Sequence, residues 1–183
     1  MNIQVIVLII FVIVAIAALP IIIMGVTSGF RTSAFVAGEE QQGKFIGELT
    51  GVEQLPPVND SSAIGVAKFK LGQDNIMYRI NVTDIENVTA ANIHSSLVGE
   101  NGPVIITLFK EDNSAAATAM NGEVLLSQGN ITASSLEGPM AGKMLSNLTS
   151  AMRNERTYVN VQTQQNPNGE IRGQILNETS PTI

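Results

Sequence analysis

The residues able to do chemistry in this chain are few, and they gather around His94. It is the sole histidine, it stands in Asn92-Ile93-His94-Ser95-Ser96, and a turn, Gly99-Glu100-Asn101-Gly102-Pro103, follows it. An imidazole in such a place can ligate copper or zinc, or move a proton near neutral pH. A stable site for either metal takes three or four imidazole, thiolate or carboxylate ligands, and a chain with one histidine and no cysteine cannot supply them alone. No cofactor is therefore expected. A weak binding or metal contact shared by His94 with Asn92, Gln162 or Glu170 is the chemical alternative to a structural histidine hydrogen-bonded at the start of the turn. Ser95 and Ser96 adjoin His94 but do not make a nucleophile and base with it. Strand neighbours point to opposite faces, and residues two apart on one face are not placed for proton transfer between them.

Other groups invite chemistry and have plainer readings. Asp84-Ile85-Glu86-Asn87 and Glu111-Asp112 cluster oxygen ligands of the kind calcium takes, but neither follows the spacing of an EF-hand loop, and both read as solvated loops. Glu170 and Arg172 are two apart and share one strand face, where they are expected to pair with surface neighbours at a gain of about 0–1 kcal/mol. Met140, Met144 and Met152 suggest soft copper(I) ligands. With Leu145 and Leu148 they recur at helical spacing, so they are expected to be the core face of one amphipathic helix within residues 139–153.

The elements that must position these residues are mostly strands. Ile76, Tyr78, Ile80 and Val82 alternate with Met77, Arg79, Asn81 and Thr83; Val159 and Val161 alternate with Tyr158, Asn160 and Gln162; Ile171 and Ile175 alternate with Glu170, Arg172 and Gln174. Period two is the mark of a strand with one buried face. Further strands are expected at residues 45–49, 64–71, 91–96, 104–110 and 123–132. Asn101-Gly102, Asn121-Gly122 and Asn168-Gly169 can each close a tight antiparallel connection, because both residue types accept positive φ. Pro56-Pro57 should break pairing near a sheet edge.

Ahead of this domain, residues 5–24 are apolar throughout and carry no charge. At 1.5 Å per residue a helix of that length is about 30 Å long, the thickness of a bilayer's hydrocarbon core. The stretch is longer than a signal-peptide core and has no basic start, so a retained anchor is expected in preference to cleavage and secretion. Residues 26–43, small and acidic with Glu39-Glu40, form the stalk. The organisation is then a membrane anchor at 1–25, a stalk at 26–43, a β domain at 44–176 and a polar tail at 177–183.

Two observations place that domain outside the cell. Only 14% of residues are charged, and the surface must be built from hydroxyls and amides. Asn59, Asn81, Asn87, Asn130, Asn147 and Asn177 each open an Asn-x-Ser/Thr triplet, more than chance supplies in a chain of this composition, and mark candidate glycosylation sites. The 10 basic residues are scattered against 16 acidic ones, which excludes nucleic acid as an expected partner.

Several separated segments together carry a resemblance. Leu49-Thr50-Gly51 with Pro56-Pro57-Val58, Gly65-Val66-Ala67-Lys68-Phe69, Ile93-His94 with Asn101-Gly102-Pro103-Val104, Tyr158-Val159-Asn160-Val161-Gln162-Thr163 and Gly169-Glu170-Ile171-Arg172-Gly173-Gln174 resemble the chordin-type CHRD domain in their order. The resemblance covers residues 45–176 and implies an extracellular or cell-surface β domain, here a microbial membrane-anchored member. It also implies a distant similarity to the copper/zinc superoxide dismutase sandwich. The family often carries His-x-His where this chain has Asn92-Ile93-His94, and histidine where it has Gln162, so two imidazoles are missing.

The expected fold is an all-β antiparallel Greek-key sandwich or barrel of about eight strands with one crossover helix, behind an N-terminal transmembrane helix. The expected function is non-enzymatic: a single-pass membrane protein whose external domain binds an extracellular protein or glycan. His94, Asn92, Gln162 and Arg172 are its candidate binding residues. The alternative is a degenerate copper or zinc binder using His94.

Overall fold

Period-two alternation needs partners on both edges and a covered face, and the chain supplies them by rolling one sheet. The computed structural model describes residues 43–111, 118–120 and 123–178. The expected membrane helix, nearly all of the stalk, Asp112 and Asn121-Gly122 lie outside those residues. Among the described residues no helix is long and apolar enough to cross a membrane.

The strands are β1 (Lys44–Thr50), β2 (Ile64–Leu71), β3 (Ile76–Thr83), β4 (Val88–Ser95) and β5 (Val104–Lys110). After them come β6 (Thr118–Met120), β7 (Glu123–Ile131), the helix α1 (Leu145–Arg153), β8 (Thr157–Thr163), β9 (Ile171–Gln174) and β10 (Leu176–Asn177). The eight strands expected from alternation are all present, and the sheet of ten adds the short β6 and β10. Both are too brief to show a period.

Every pairing is antiparallel, in the order β5-β4-β8-β9-β1-β2-β3-β7-β6, with β10 beside β1. The sheet curls into a nearly closed barrel. Where β5 and β7 approach, side chains bridge the gap: Tyr78 Oη and Ser127 Oγ donate to the Leu108 carbonyl at 2.9 and 2.7 Å. The outer edge of β5 is covered too, since Glu137 N–H donates to Ile105 O at 2.9 Å and Thr107 Oγ1 to Glu137 Oε1 at 2.7 Å. Those bonds occupy edge groups that would otherwise template pairing with another chain.

The register of β2 on β3 sets Ala67 beside Ile80 and Gly65 beside Val82, so one face of each strand fills the barrel. Ala91 and Ile93 of β4, Val159 and Val161 of β8 and Ile171 of β9 join them in the buried core. Leu148 and Met152 of α1 close one side of it. Met144 is exposed, contrary to the expected stripe. The helix begins only at Leu145, where Asn147 Oδ1 accepts the Met144 N–H at 3.2 Å, and residues 138–140 make a separate 3-10 turn. The connections also depart from tight hairpins. Positive φ falls on Gly99, not on Asn101 or Gly102, within the loop of residues 96–103. Asn168-Gly169 closes a turn inside a longer connection, with Gly169 N–H donating to Asn166 O at 2.9 Å.

Candidate functional site

Because Ala91, Ile93, Val159, Val161 and Ile171 face the core, their neighbours on β4, β8 and β9 face out. Register puts Asn92, Asn160 and Arg172 in one row across the three strands, and His94, Tyr158 and Gln174 in the next. On an open sheet this would be a solvated polar face. Here two loops lie over it, residues 51–63 from one end of the barrel and 96–103 from the other. They meet where Asn101 Nδ2 donates to Leu55 O at 2.8 Å. Beneath them Gln54 Nε2 donates to Asn160 Oδ1 at 2.7 Å, and Asn160 Nδ2 to Asn168 O at 3.0 Å. Asn92 is left 7%, His94 8% and Arg172 only 3% exposed.

The centre of this covered face is a stack on Tyr158. From the β4 side His94 lies against the phenol ring, centroids 4.9 Å apart and planes 12° from parallel. From the β9 side the Arg172 guanidinium carbon sits 3.8 Å from the same ring centroid. A cation over an electron-rich ring and a planar stack are each favourable, and more so without water between them. The three side chains then hold the loop one residue at a time. Arg172 Nη2 donates to Glu100 O at 2.7 Å and Nη1 to Asn101 Oδ1 at 3.3 Å. Gly102 N–H donates to Tyr158 Oη at 3.1 Å, and His94 Nδ1 lies 2.8 Å from Gly102 O. Position 102 must be glycine for this approach, because a Cβ there would run into the Ser95 carbonyl.

The geometry fixes the tautomer of His94. A carbonyl oxygen only accepts, so Nδ1 carries a proton, and in the neutral ring Nε2 holds the lone pair, buried without a partner. Burial pushes the imidazole below its ordinary pKa; the Gly102 carbonyl pulls it up, and the nearby Arg172 charge pushes it down further. Burial and the Arg172 charge thus both favour the neutral ring.

Glu170 and Arg172 do not pair with neighbours on an exposed surface, as was expected of them. Both are buried, and they look to different loops. The Glu170 carboxyl accepts Ser61 Oγ at 2.8 Å, Thr163 Oγ1 at 2.7 Å and Asn166 Nδ2 at 3.3 Å, which ties the β1–β2 connection to the β8–β9 connection. It forms the floor of a cleft also lined by Asp60, Asp84 and Glu86. Among the described residues no three His, Cys, Asp or Glu side chains are grouped to hold a metal ion.

Of the sequence-derived candidates, His94 and Arg172 meet on Tyr158, and Asn92 lies in the adjacent row. Gln162 does not join them: it is half-buried on β8, four residues from Tyr158, or about 13 Å at strand rise. Tyr158, Asn101, Gly102, Asn160 and Gln54 complete the cluster and were not singled out as site residues. Tyr158 and Asn160 had a signal, since they share the outward face with Gln162. Gln54 had none, because it reaches Asn160 across 106 residues of sequence. Of the triplet asparagines, Asn59, Asn87, Asn130, Asn147 and Asn177 are exposed and Asn81 is half-buried.

No curated protein and no solved structure matches this chain. The CHRD domain family model matches residues 45–175, the length of the barrel from β1 through β9. The chain belongs to the CHRD domain family.

Proposed function

We propose that the protein is a membrane-anchored CHRD domain, displayed outside the cell, that acts without catalysis as a binding or envelope-interaction module. Its partner is an extracellular protein or a glycan. One observation carries this reading: the side chains best equipped for chemistry, His94, Tyr158 and Arg172, are buried and engaged in holding a loop, so the domain offers its surface to partners and keeps its reactive groups inside. The apolar stretch at residues 5–24, the low charge and the excess of Asn-x-Ser/Thr triplets support anchoring and display.

Alkaline carbonate extraction tests the anchor, and recovery of a shortened chain in the supernatant would refute it. Protease added to intact cells tests display. Affinity capture from intact envelopes, with residues 44 onward as bait, identifies the partner. A second reading, copper or zinc held through His94, draws on one observation, the unpartnered Nε2. The residues around it do not complete a site: Asn92 brings an amide and Gln162 stands apart, leaving one imidazole where three or four ligands are needed. Full-length protein that returns metal-free after incubation with either ion removes that reading.

A further inference from the structure

The two ends of the barrel differ in what they expose. Gly43, where the described chain begins, shares one end with the β2–β3 turn, since Leu71 N–H donates to Gly43 O at 3.0 Å. The β1–β2, β3–β4 and β8–β9 connections gather at the opposite end, where Asp60, Asp84, Glu86 and Asn166 line a common cleft. Two Asn-x-Ser/Thr triplets open on the rim of that cleft, at Asn59 beside Asp60 and at Asn87 beside Glu86. Both asparagines are exposed and lie outside the strands, and among the described residues neither side-chain amide has a hydrogen-bond partner. We infer that Asn59 and Asn87 are N-glycosylated, so that saccharides crown the end of the barrel opposite Gly43. This rests on the external display proposed above.

The other triplets explain why the selection is local. Asn81 is half-buried in β3, opposite Val66 of β2 and Leu125 of β7, and its Oδ1 accepts Arg79 Nε at 3.0 Å. Asn130 Oδ1 accepts Asn75 Nδ2 at 2.9 Å at the end of β7. Asn147 Oδ1 caps α1. These three amides are held by strand or helix, and Asn177 lies in β10, paired with Phe45 of β1, whereas a transferase must take the asparagine into its own site. In the reaction Nδ2 attacks the anomeric carbon of a lipid-phosphate-linked saccharide. The bond from that carbon to the phosphate oxygen breaks, the phosphate leaves with the electron pair, and one Nδ2 proton passes to a base of the transferase.

The test is glycopeptide mass mapping of the full chain isolated from the membranes of its own cells, alongside protease treatment of those cells intact. Expected are a glycan mass on Asn59 and on Asn87, higher occupancy there than at Asn81, Asn130 or Asn147, and the loss of one glycan from the intact mass in each of Asn59→Gln and Thr89→Ala. Thr89→Ala keeps Asn87 and removes only the hydroxyl of its triplet, so a loss there reports recognition and not folding. Bare Asn59 and Asn87 overturn the inference, and so does occupancy at Asn81 equal to theirs. If the domain is bare but protease removes it from intact cells, display stands and glycosylation falls; if it is bare and protected, both fall.

Discussion

The outer face of β2 and β3 and the outer face of β4, β8 and β9 carry the same alternation, and they live in different environments. On the first, Lys68, Lys70, Met77 and Arg79 are exposed. On the second, Asn92, His94, Asn160 and Arg172 are buried, because the loops at residues 51–63 and 96–103 cover them. The comparison teaches what a cover demands. A lysine on an open face needs no partner, whereas a polar group taken out of water costs roughly 1–3 kcal/mol unless hydrogen bonds replace those it loses. The covered face meets that demand almost completely: Arg172, Asn160 and Tyr158 each bond to a loop or to a neighbour that does. His94 Nε2 is an exception, and so is Thr50 Oγ1 of β1, opposite Arg172.

Substitutions on the two faces should separate accordingly. The largest effect is expected for Arg172→Ala, which removes both hydrogen bonds to the 96–103 loop and the cation over Tyr158 and leaves the Glu100 carbonyl without its donor. A loss of about 3 kcal/mol should appear in the urea midpoint. Arg172→Lys should recover little of it, since an ammonium cannot stack flat and reach two acceptors at once.

Acid should weaken the covered face next. The folded-state pKa of His94 lies below its ordinary 6.5, so unfolding takes up a proton in the interval between the two values. Stability is unaffected by this group above 6.5, falls as pH drops from 6.5 toward the lowered folded value, and then levels off. His94→Phe keeps a flat ring against Tyr158 and should flatten that slope in urea titrations across the interval. An unchanged slope would mean that His94 is solvated in the folded protein.

Tyr158→Phe is a finer probe. It keeps the stack and removes the hydroxyl that accepts the Gly102 N–H, so about 1 kcal/mol should be lost. The smallest change belongs to the open face. Arg79→Ala removes one exposed hydrogen bond to Asn81 and should stay within about 0.5 kcal/mol. A loss there as large as that of Arg172→Ala would show that something covers β2 and β3 as well, and the contrast between the faces would collapse.

Much of the barrel was legible because local rules act locally. Ile64–Leu71 and Val104–Lys110 coincide with the strands expected from alternation, and α1 lies where apolar residues recur at helical spacing. Met144 escaped the pattern because a helix start depends on which amide caps it. The surroundings of Glu170 and Arg172 were misjudged for a related reason: both were expected to meet neighbours on an exposed surface, whereas the loops that come down on them bury them and supply their partners. His94 was legible as a residue tied to its turn, but the Tyr158 stack needed three strands to be set side by side.

By itself the sequence determined the alternation that builds the β domain, the family motifs, the apolar stretch at residues 5–24 and the single imidazole that limits metal chemistry. Each of these is a property of composition or near-neighbour spacing. Only the tertiary structure decided which polar face is buried, because burial there depends on where two long loops fold back, and Asn101 with Leu55 and Gln54 with Asn160 are far apart along the chain. That is why His94, which looked in the sequence like the group most able to react, became a ring packed under a loop.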